Sequence, residues 1–250
     1  MTDCVLAAGP LDAPAIVFVH GTRLSAAAWT AQLADLGGEF RAIAVDLPAH
    51  GTRANEPFTL EAGADTLAAT IREHAAGGRA VVVGLSLGGY VAMALAARQP
   101  NLVRGLVLSG ATAEPVGIRT LPYLALAAVM DGVDGERLDR LNAWFFRTRY
   151  EPAIAEPIIA GGFWSRGGAR ALRAIVGERF VPRLAAYPGR TLILNGEYDF
   201  PFRLFAGTFA RAARDPRRVR LAGASHLANL DRPAAFSEAV RRFARSLPAD

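Results

Sequence analysis

Ser86 stands in Gly84-Leu85-Ser86-Leu87-Gly88, a serine with a glycine two residues away on either side. A serine hydroxyl is a weak nucleophile at neutral pH. It attacks a carbonyl only when a base takes its proton and a third group orients that base. The chain has four histidines. His226, in the late loop Gly223-Ala224-Ser225-His226, is the strongest candidate base. His20, just before Gly21, reads as a loop-holding residue. His50 lies in a turn and could line a pocket, but no acid near it would orient it, and His74 falls in a surface helix. Asp199 is the first candidate for the orienting acid, with Asp46 and Glu114 in reserve; Glu197 reads as a turn or rim residue. The chemistry these types support is acyl transfer through a covalent serine intermediate.

These residues need elements that bring them to one edge. Ala80-Val81-Val82-Val83 is a β-branched run, and Leu87 to Ala97 is rich in Ala and Leu, so Ser86 falls on a sharp strand-to-helix turn. The helix after it aims free N–H groups and a positive dipole end at the serine. The 18 uncharged residues from Ala80 to Ala97 are no membrane span, because three glycines and a serine interrupt their centre. Further strands are expected at Ala15–Val19, Arg41–Asp46, Val103–Leu108, Arg190–Asn195 and Arg218–Leu221. Helices are expected at Ala27–Leu36, Leu60–His74, Phe202–Ala213 and Pro233–Ser246. Strands alternating with helices imply an α/β fold with a mostly parallel, doubly wound sheet, whose ligands bind at the C-terminal strand ends. His20, Asp46 and Ser86 all follow strands and point to that edge. From Glu114 to Pro188 the strand runs stop and prolines and aromatics gather. This stretch, 114–188, is expected to be a helical cap inserted into a core of 1–113 and 189–250. The Gly161-Gly162 and Gly167-Gly168 pairs read as flexible joints around Trp164.

Composition sets outer limits. The 250 residues are 52% hydrophobic and 20% charged, which suits a globular domain rather than a disordered chain. The net charge of +5 comes from arginine alone, for there is no lysine. Those arginines are scattered, so a nucleic-acid partner is not indicated, and no membrane partner is expected. The one cysteine, Cys4, allows neither an internal disulfide nor a cysteine zinc site. No signal peptide is visible at the N-terminus, so the cytoplasm is the expected location.

With these motifs in view, the chain resembles the capped α/β-hydrolases, the group holding small esterases, enol-lactonases, perhydrolases and carbon–carbon bond hydrolases. The resemblance rests on His20-Gly21-Thr22 with Trp29, Asp46-Leu47-Pro48-Ala49-His50-Gly51, the Ser86 turn, Gly196-Glu197-Tyr198-Asp199, and Ser225-His226. The order Ser86, Asp199, His226 is that fold's order of nucleophile, acid and base. The resemblance implies an α/β-hydrolase fold and an oxyanion hole made by the backbone N–H groups of Leu87 and Thr22. It also implies a small-molecule substrate and no cofactor or metal. Two positions depart from the family's habit: Leu85 where histidine often precedes the serine, and Ala49 where the turn often carries glycine.

The aromatic content of 114–188 suits a small to medium, largely apolar ester or lactone. Trp29, Trp144, Phe145 and Trp164 are candidate substrate contacts, and one of Arg119, Arg147, Arg149 and Arg166 is a candidate to bind a substrate carboxylate. A carbon–carbon bond hydrolase, a thioesterase or acyltransferase, and a non-catalytic receptor on the same fold stay open as alternatives. A homodimer is also left open.

Overall fold

The computed structural model describes residues 5–133 and 135–248. Cys4 lies outside them. In chain order the elements are β1 (Val5–Ala8), β2 (Ala15–Val19), α1 (Thr30–Leu36), β3 (Arg41–Val45), α2 (Leu60–His74), β4 (Ala80–Leu85), α3 (Leu87–Arg98) and β5 (Val103–Ser109). Next come α4 (Leu121–Gly132), α5 (Gly135–Arg149), α6 (Pro152–Ala160), α7 (Ser165–Ile175) and α8 (Phe180–Ala186). The chain closes with β6 (Thr191–Gly196), α9 (Phe200–Ala212), β7 (Pro216–Leu221), α10 (Ala228–Asp231) and α11 (Pro233–Ser246).

The seven strands form one sheet in the order β1-β3-β2-β4-β5-β6-β7. β1 runs antiparallel to β3 and the other pairings are parallel. β2, β4 and β6 are buried along their whole length, which is why they read as unbroken apolar runs. The two-residue period still sorts their side chains. Val17 and Val19 join the core on the face covered by α2, α3, α8 and α9, while Ile16 and Phe18 join the core under α1 and α11. The edges are treated differently. β7 carries Arg217, Arg218 and Arg220, all exposed, which discourages pairing with another chain. The edge strand β1 has no counterpart among the expected strands: four residues with two exposed leave no hydrophobic pattern to read.

Two expected helices shift at their starts. The segment from Ala26 to Trp29 is a tight 3₁₀ turn before α1, and α9 begins at Phe200, directly after Asp199. The helix α2 spans Leu60–His74 as expected, with the Thr59 hydroxyl accepting from Ala62 N at 2.9 Å as its cap.

Five helices separate β5 from β6. α8 packs on α3 and α9 beside the sheet, with Phe180 against Tyr90 at a ring-centroid distance of 4.4 Å. α4 packs on α7, and α5 on α6. The glycines of α7 are not joints. A Cβ on Gly167 would strike the Ala49 carbonyl oxygen, and one on Gly168 would come within 2.6 Å of Thr22 Oγ1. Their missing side chains let α7 close onto the loops that follow β2 and β3.

Candidate active site

Ser86, the candidate nucleophile, is placed by the β4–α3 turn. Ser86 takes φ 51° and ψ −114°, a conformation strained for any residue with a side chain. Its N–H donates to Ser109 O of β5 at 2.7 Å. The turn exists because its neighbours lack side chains. A Cβ on Gly84 would meet the Gly88 and Gly89 backbone, and one on Gly88 would come within 2.7 Å of His20 O. Leu87 is the first residue of α3, so its N–H has no carbonyl four residues back to accept it and points out of the helix end.

His226 and Asp199 come from two other strand ends. His226 follows β7, and its Nδ1 lies 3.1 Å from Asp199 Oδ1. The Asp199 side chain is 3% exposed and that of His226 is 37% exposed, so the carboxylate sits behind the imidazole and the imidazole faces the cavity. Phe202 stacks on the imidazole with ring centroids 4.8 Å apart. Gly110, at φ 57°, lies against the pair: a Cβ there would come within 2.7 Å of His226 Cε1 and 3.1 Å of Asp199 Oδ2. The loop before the histidine is held by Asp231, which accepts from Ser225 N and Ser225 Oγ, each at 2.6 Å, from Tyr150 OH at 3.0 Å and from Arg149 at 2.7 Å. Burial alone would raise the Asp231 carboxyl; these hydrogen bonds outweigh it and hold the group below the ordinary carboxylate range.

The remaining histidines and acids are occupied elsewhere. His20 is fully buried; its Nδ1–H donates to Gly21 O at 2.9 Å and its Nε2 accepts from Leu47 N at 3.0 Å. Those two bonds require the neutral ring. His50 is also fully buried and does not line the cavity; its Nδ1 meets Pro48 O at 2.9 Å. Burial pushes His50 down to about 3, with the neighbouring His20 ring adding to the fall. Burial likewise lowers His20, against the pull of Asp46. Asp46 accepts from Ala26 N, Thr52 N and Thr52 Oγ1, so it ties two loops together. Glu114 accepts from Val181 N at the start of α8. Glu197 accepts from Gly223 N, bracing the turn. His74 lies beside Glu73 on α2, away from the cavity.

Ser86 and His226 both line a cavity of about 660 Å³ together with Gly21, Thr22, Arg23 and Leu24. Pro122, Tyr123 and Leu126 of α4 and Phe145 and Phe146 of α5 form part of its wall, with Phe202 and Phe205 of α9. Of the four aromatic residues expected to touch substrate, Phe145 does line it. Trp29 does not: it is fully buried between Phe18 and Phe236, at 5.0 and 5.6 Å, as a wedge under α1 and α11. Trp144 is 62% exposed on the outside of α5, because the inward stripe of that helix is Leu138, Asn142 and Phe146. Trp164 donates from Nε1 to Gly161 O at 3.0 Å, and its backbone N–H donates to Arg23 O; it stands outside the cavity wall. Among the four arginines, Arg119 alone lines the cavity, 5.1 Å over the Phe205 ring. Arg147 pairs with Glu156, Arg149 with Asp231, and Arg166 is exposed on α7. Residues that sequence reasoning passed over are Arg23, Tyr123, Phe202, Phe205 and Asp231. The spacing of Arg119, Pro122, Tyr123 and Leu126, and of Phe202 and Phe205, marks one helix face each, and Arg23 directly follows Thr22.

Residues 16–239 match the model of the alpha/beta hydrolase family. The chain belongs to the α/β-hydrolase family. It is a hydrolase enzyme of that type. It is 42% identical over 104 residues to an esterase of Mycobacterium tuberculosis, a match spanning 40% of this chain and 34% of that one. It is 29% identical over 249 residues, 87% of each chain, to a bifunctional esterase/perhydrolase of Acinetobacter calcoaceticus. An enol-lactonase from Burkholderia xenovorans superposes with a TM-score of 0.80 over 97% of this chain and 96% of that one at 24% identity, a likeness of fold alone. Within the family frame the Ala49 departure has a cost: Ala49 sits at φ 64°, where glycine is at ease and a Cβ is strained. In this α/β-hydrolase the missing Cβ of Gly167 leaves room beside it, since a side chain there would lie 3.2 Å from Ala49 Cβ.

Proposed function

We propose that the chain is a serine hydrolase cleaving a small to medium, largely apolar carboxylic ester or lactone, with Ser86, His226 and Asp199 as its triad. The observation that carries this is the 3.1 Å contact of His226 Nδ1 with the buried Asp199, on the same cavity as the strained Ser86. Asp199 accepts the Nδ1–H and leaves Nε2 free to take the Ser86 proton. The Ser86 oxygen attacks the carbonyl carbon. The Leu87 and Thr22 N–H groups receive the negative oxygen; each such donor is worth about 2.7–4 kcal/mol in the transition state. His226 then gives its proton to the leaving oxygen, and an acyl-Ser86 ester forms. Water, deprotonated by His226, releases the acid and restores the serine. The helices α4–α7 act as the cap, and their apolar walls suit the apolar part of the substrate and limit water around the acyl-enzyme. The names borne by the relatives of similar sequence, esterase and esterase/perhydrolase, point the same way.

The test is labelling with a fluorophosphonate, with the modified residue located by peptide mass spectrometry, alongside turnover of 4-nitrophenyl butyrate. Labelling is expected at Ser86 and nowhere in Ser86→Ala. Turnover should fall on the order of 10⁶-fold in Ser86→Ala and 10⁴-fold in Asp199→Asn. A folded protein that neither labels nor hydrolyses would replace this reading with a ligand-binding role.

A further inference from the structure

Two arginines line the cavity. Among the described residues on its wall, Arg23 and Arg119 are cationic and none is an aspartate or glutamate, while Asp199 lies behind His226. Arg119 is exposed at the turn before α4, but Arg23 is built in. Its backbone is held at φ 67°, with its carbonyl accepting from Trp164 N at 2.8 Å. Its stem runs past Gly168 of α7, where a Cβ would come within 2.9 Å of Arg23 Cγ. Among the described residues its guanidinium donates once, from Nη1 to the neutral amide oxygen of Asn142 at 3.0 Å. Asp139, one turn earlier on α5, draws on it through space only; among the described residues no carboxylate lies within 4.0 Å of it. Burial accordingly lowers the guanidinium from its ordinary value. None of its nitrogens is a sealed, unpartnered atom, so the N–H groups beyond the Asn142 bond reach solvent-accessible space beside the apolar cavity walls and are available to a ligand. A ligand carboxylate would take two of those N–H groups side by side.

We propose that Arg23 is a carboxylate-binding, specificity-determining residue, so that the substrates this enzyme cleaves best are esters or lactones that also carry a free carboxylate. Arg119 adds to the positive field and draws the anion in. This rests on the hydrolase reading for the cleavage step, whereas the anion site itself does not.

The test compares mono-methyl adipate with methyl hexanoate, two esters of equal chain length that differ in the terminal carboxylate. Release of acid is followed by base titration at constant pH. In the wild-type enzyme kcat/KM should favour the anionic ester on the order of tenfold or more. In Arg23→Met, which keeps the stem beside Gly168 and removes the charge, and in Arg23→Gln, that ratio should collapse towards one, chiefly through KM. Arg119→Gln should lower it less. Asn142→Ala frees the guanidinium from its tether and should keep the preference. A ratio that survives in either Arg23 variant, or two esters that decline in step, would overturn the proposal and leave Arg23 as a tether between the Thr22 loop and α5. Calorimetric titration of Ser86→Ala and Ser86→Ala/Arg23→Met with the same two esters reads the site without turnover. Binding that prefers the anion only while Arg23 is present sustains the carboxylate site even if the wild-type enzyme fails to label or hydrolyse; equal binding of both esters rejects it.

Discussion

Two regions face each other across the cavity, and different forces hold them. The loops at the ends of β2, β3 and β4 are fixed by sheet geometry and by buried polar bonds: His20 between Gly21 and Leu47, Asp46 between Ala26 and Thr52, and Ser86 on Ser109. The helices α4 and α5 bury little of their own surface. Only Ala127 and Met130 of α4 are buried, while Leu121, Leu124, Leu126 and Val129 are exposed although none of them is polar. The Ser86 side of the cavity is therefore over-determined, and the opposite wall is a thin apolar layer held chiefly by α7 and a few side-chain bonds such as Tyr123 to Tyr90. Rigidity thus falls on the loops around Ser86, and latitude on the helical wall across from them.

The first way to break this comparison is to add one methyl group to the rigid side. Gly88→Ala drives a Cβ into the β2 backbone at Val19 and His20, which the sheet holds in place. The urea midpoint should fall by the equivalent of about 3 kcal/mol or more. A variant of near wild-type stability would mean the turn is softer than its contacts imply.

A milder insertion falls beside His226. Gly110→Ala presses on His226 and Asp199 from behind, at a φ that strains alanine. It should lower kcat on the order of 10- to 100-fold with KM little changed, because misplacing a catalytic group by a fraction of an ångström is felt in the transition state. Equal losses in kcat and in stability would reassign Gly110 to folding alone.

The buried histidines make the rigid side sensitive to acid. His50 stays neutral in the fold down to about pH 3, while in the unfolded chain it takes a proton near 6.5. Below that unfolded value the unfolded state binds more protons, so stability is complete above it and drains away as pH falls towards the folded value, at about 1.4 kcal/mol per pH unit for one such group. His20 adds in the same direction. His50→Gln should flatten the acid limb of a denaturant-midpoint series by roughly one histidine's share. An unaltered limb would show that other groups govern acid unfolding.

The smallest effect belongs to the opposite wall. Val129 is 54% exposed on α4, so Val129→Gln should change stability by no more than about 0.5 kcal/mol, read from the same urea midpoints. A much larger loss would show that the outer face of α4 is covered in solution.

The reach of sequence reasoning followed these two regions. Along β2, β4 and α2 the pattern was legible because burial on both faces, or on one helical stripe, writes itself into consecutive residues. Asp199 and His226 could be picked out because each follows a strand whose end must reach the site edge. β1 was not legible, since an edge strand of four half-exposed residues buries too little to impose a period. Trp29 misled for a related reason: an aromatic near a site-forming loop looks like a contact, but its size makes it equally suited to fill the space under α1 and α11. On α5 the choice between Trp144 and Phe145 depended on helix rotation, which the composition of 114–188 does not reveal.

The α/β architecture and the strand-to-helix turn at Ser86 were legible along the chain, because local sterics and hydrophobic period act between neighbours. That Asp46 and Glu114 are spent on loop and helix bonds, that Asp231 holds the His226 loop, and that Arg23 lines the cavity became visible only in three dimensions. Those outcomes depend on which distant groups meet once the layers close. Coulomb forces and hydrogen bonds act at a few ångströms in space, whatever the separation in sequence.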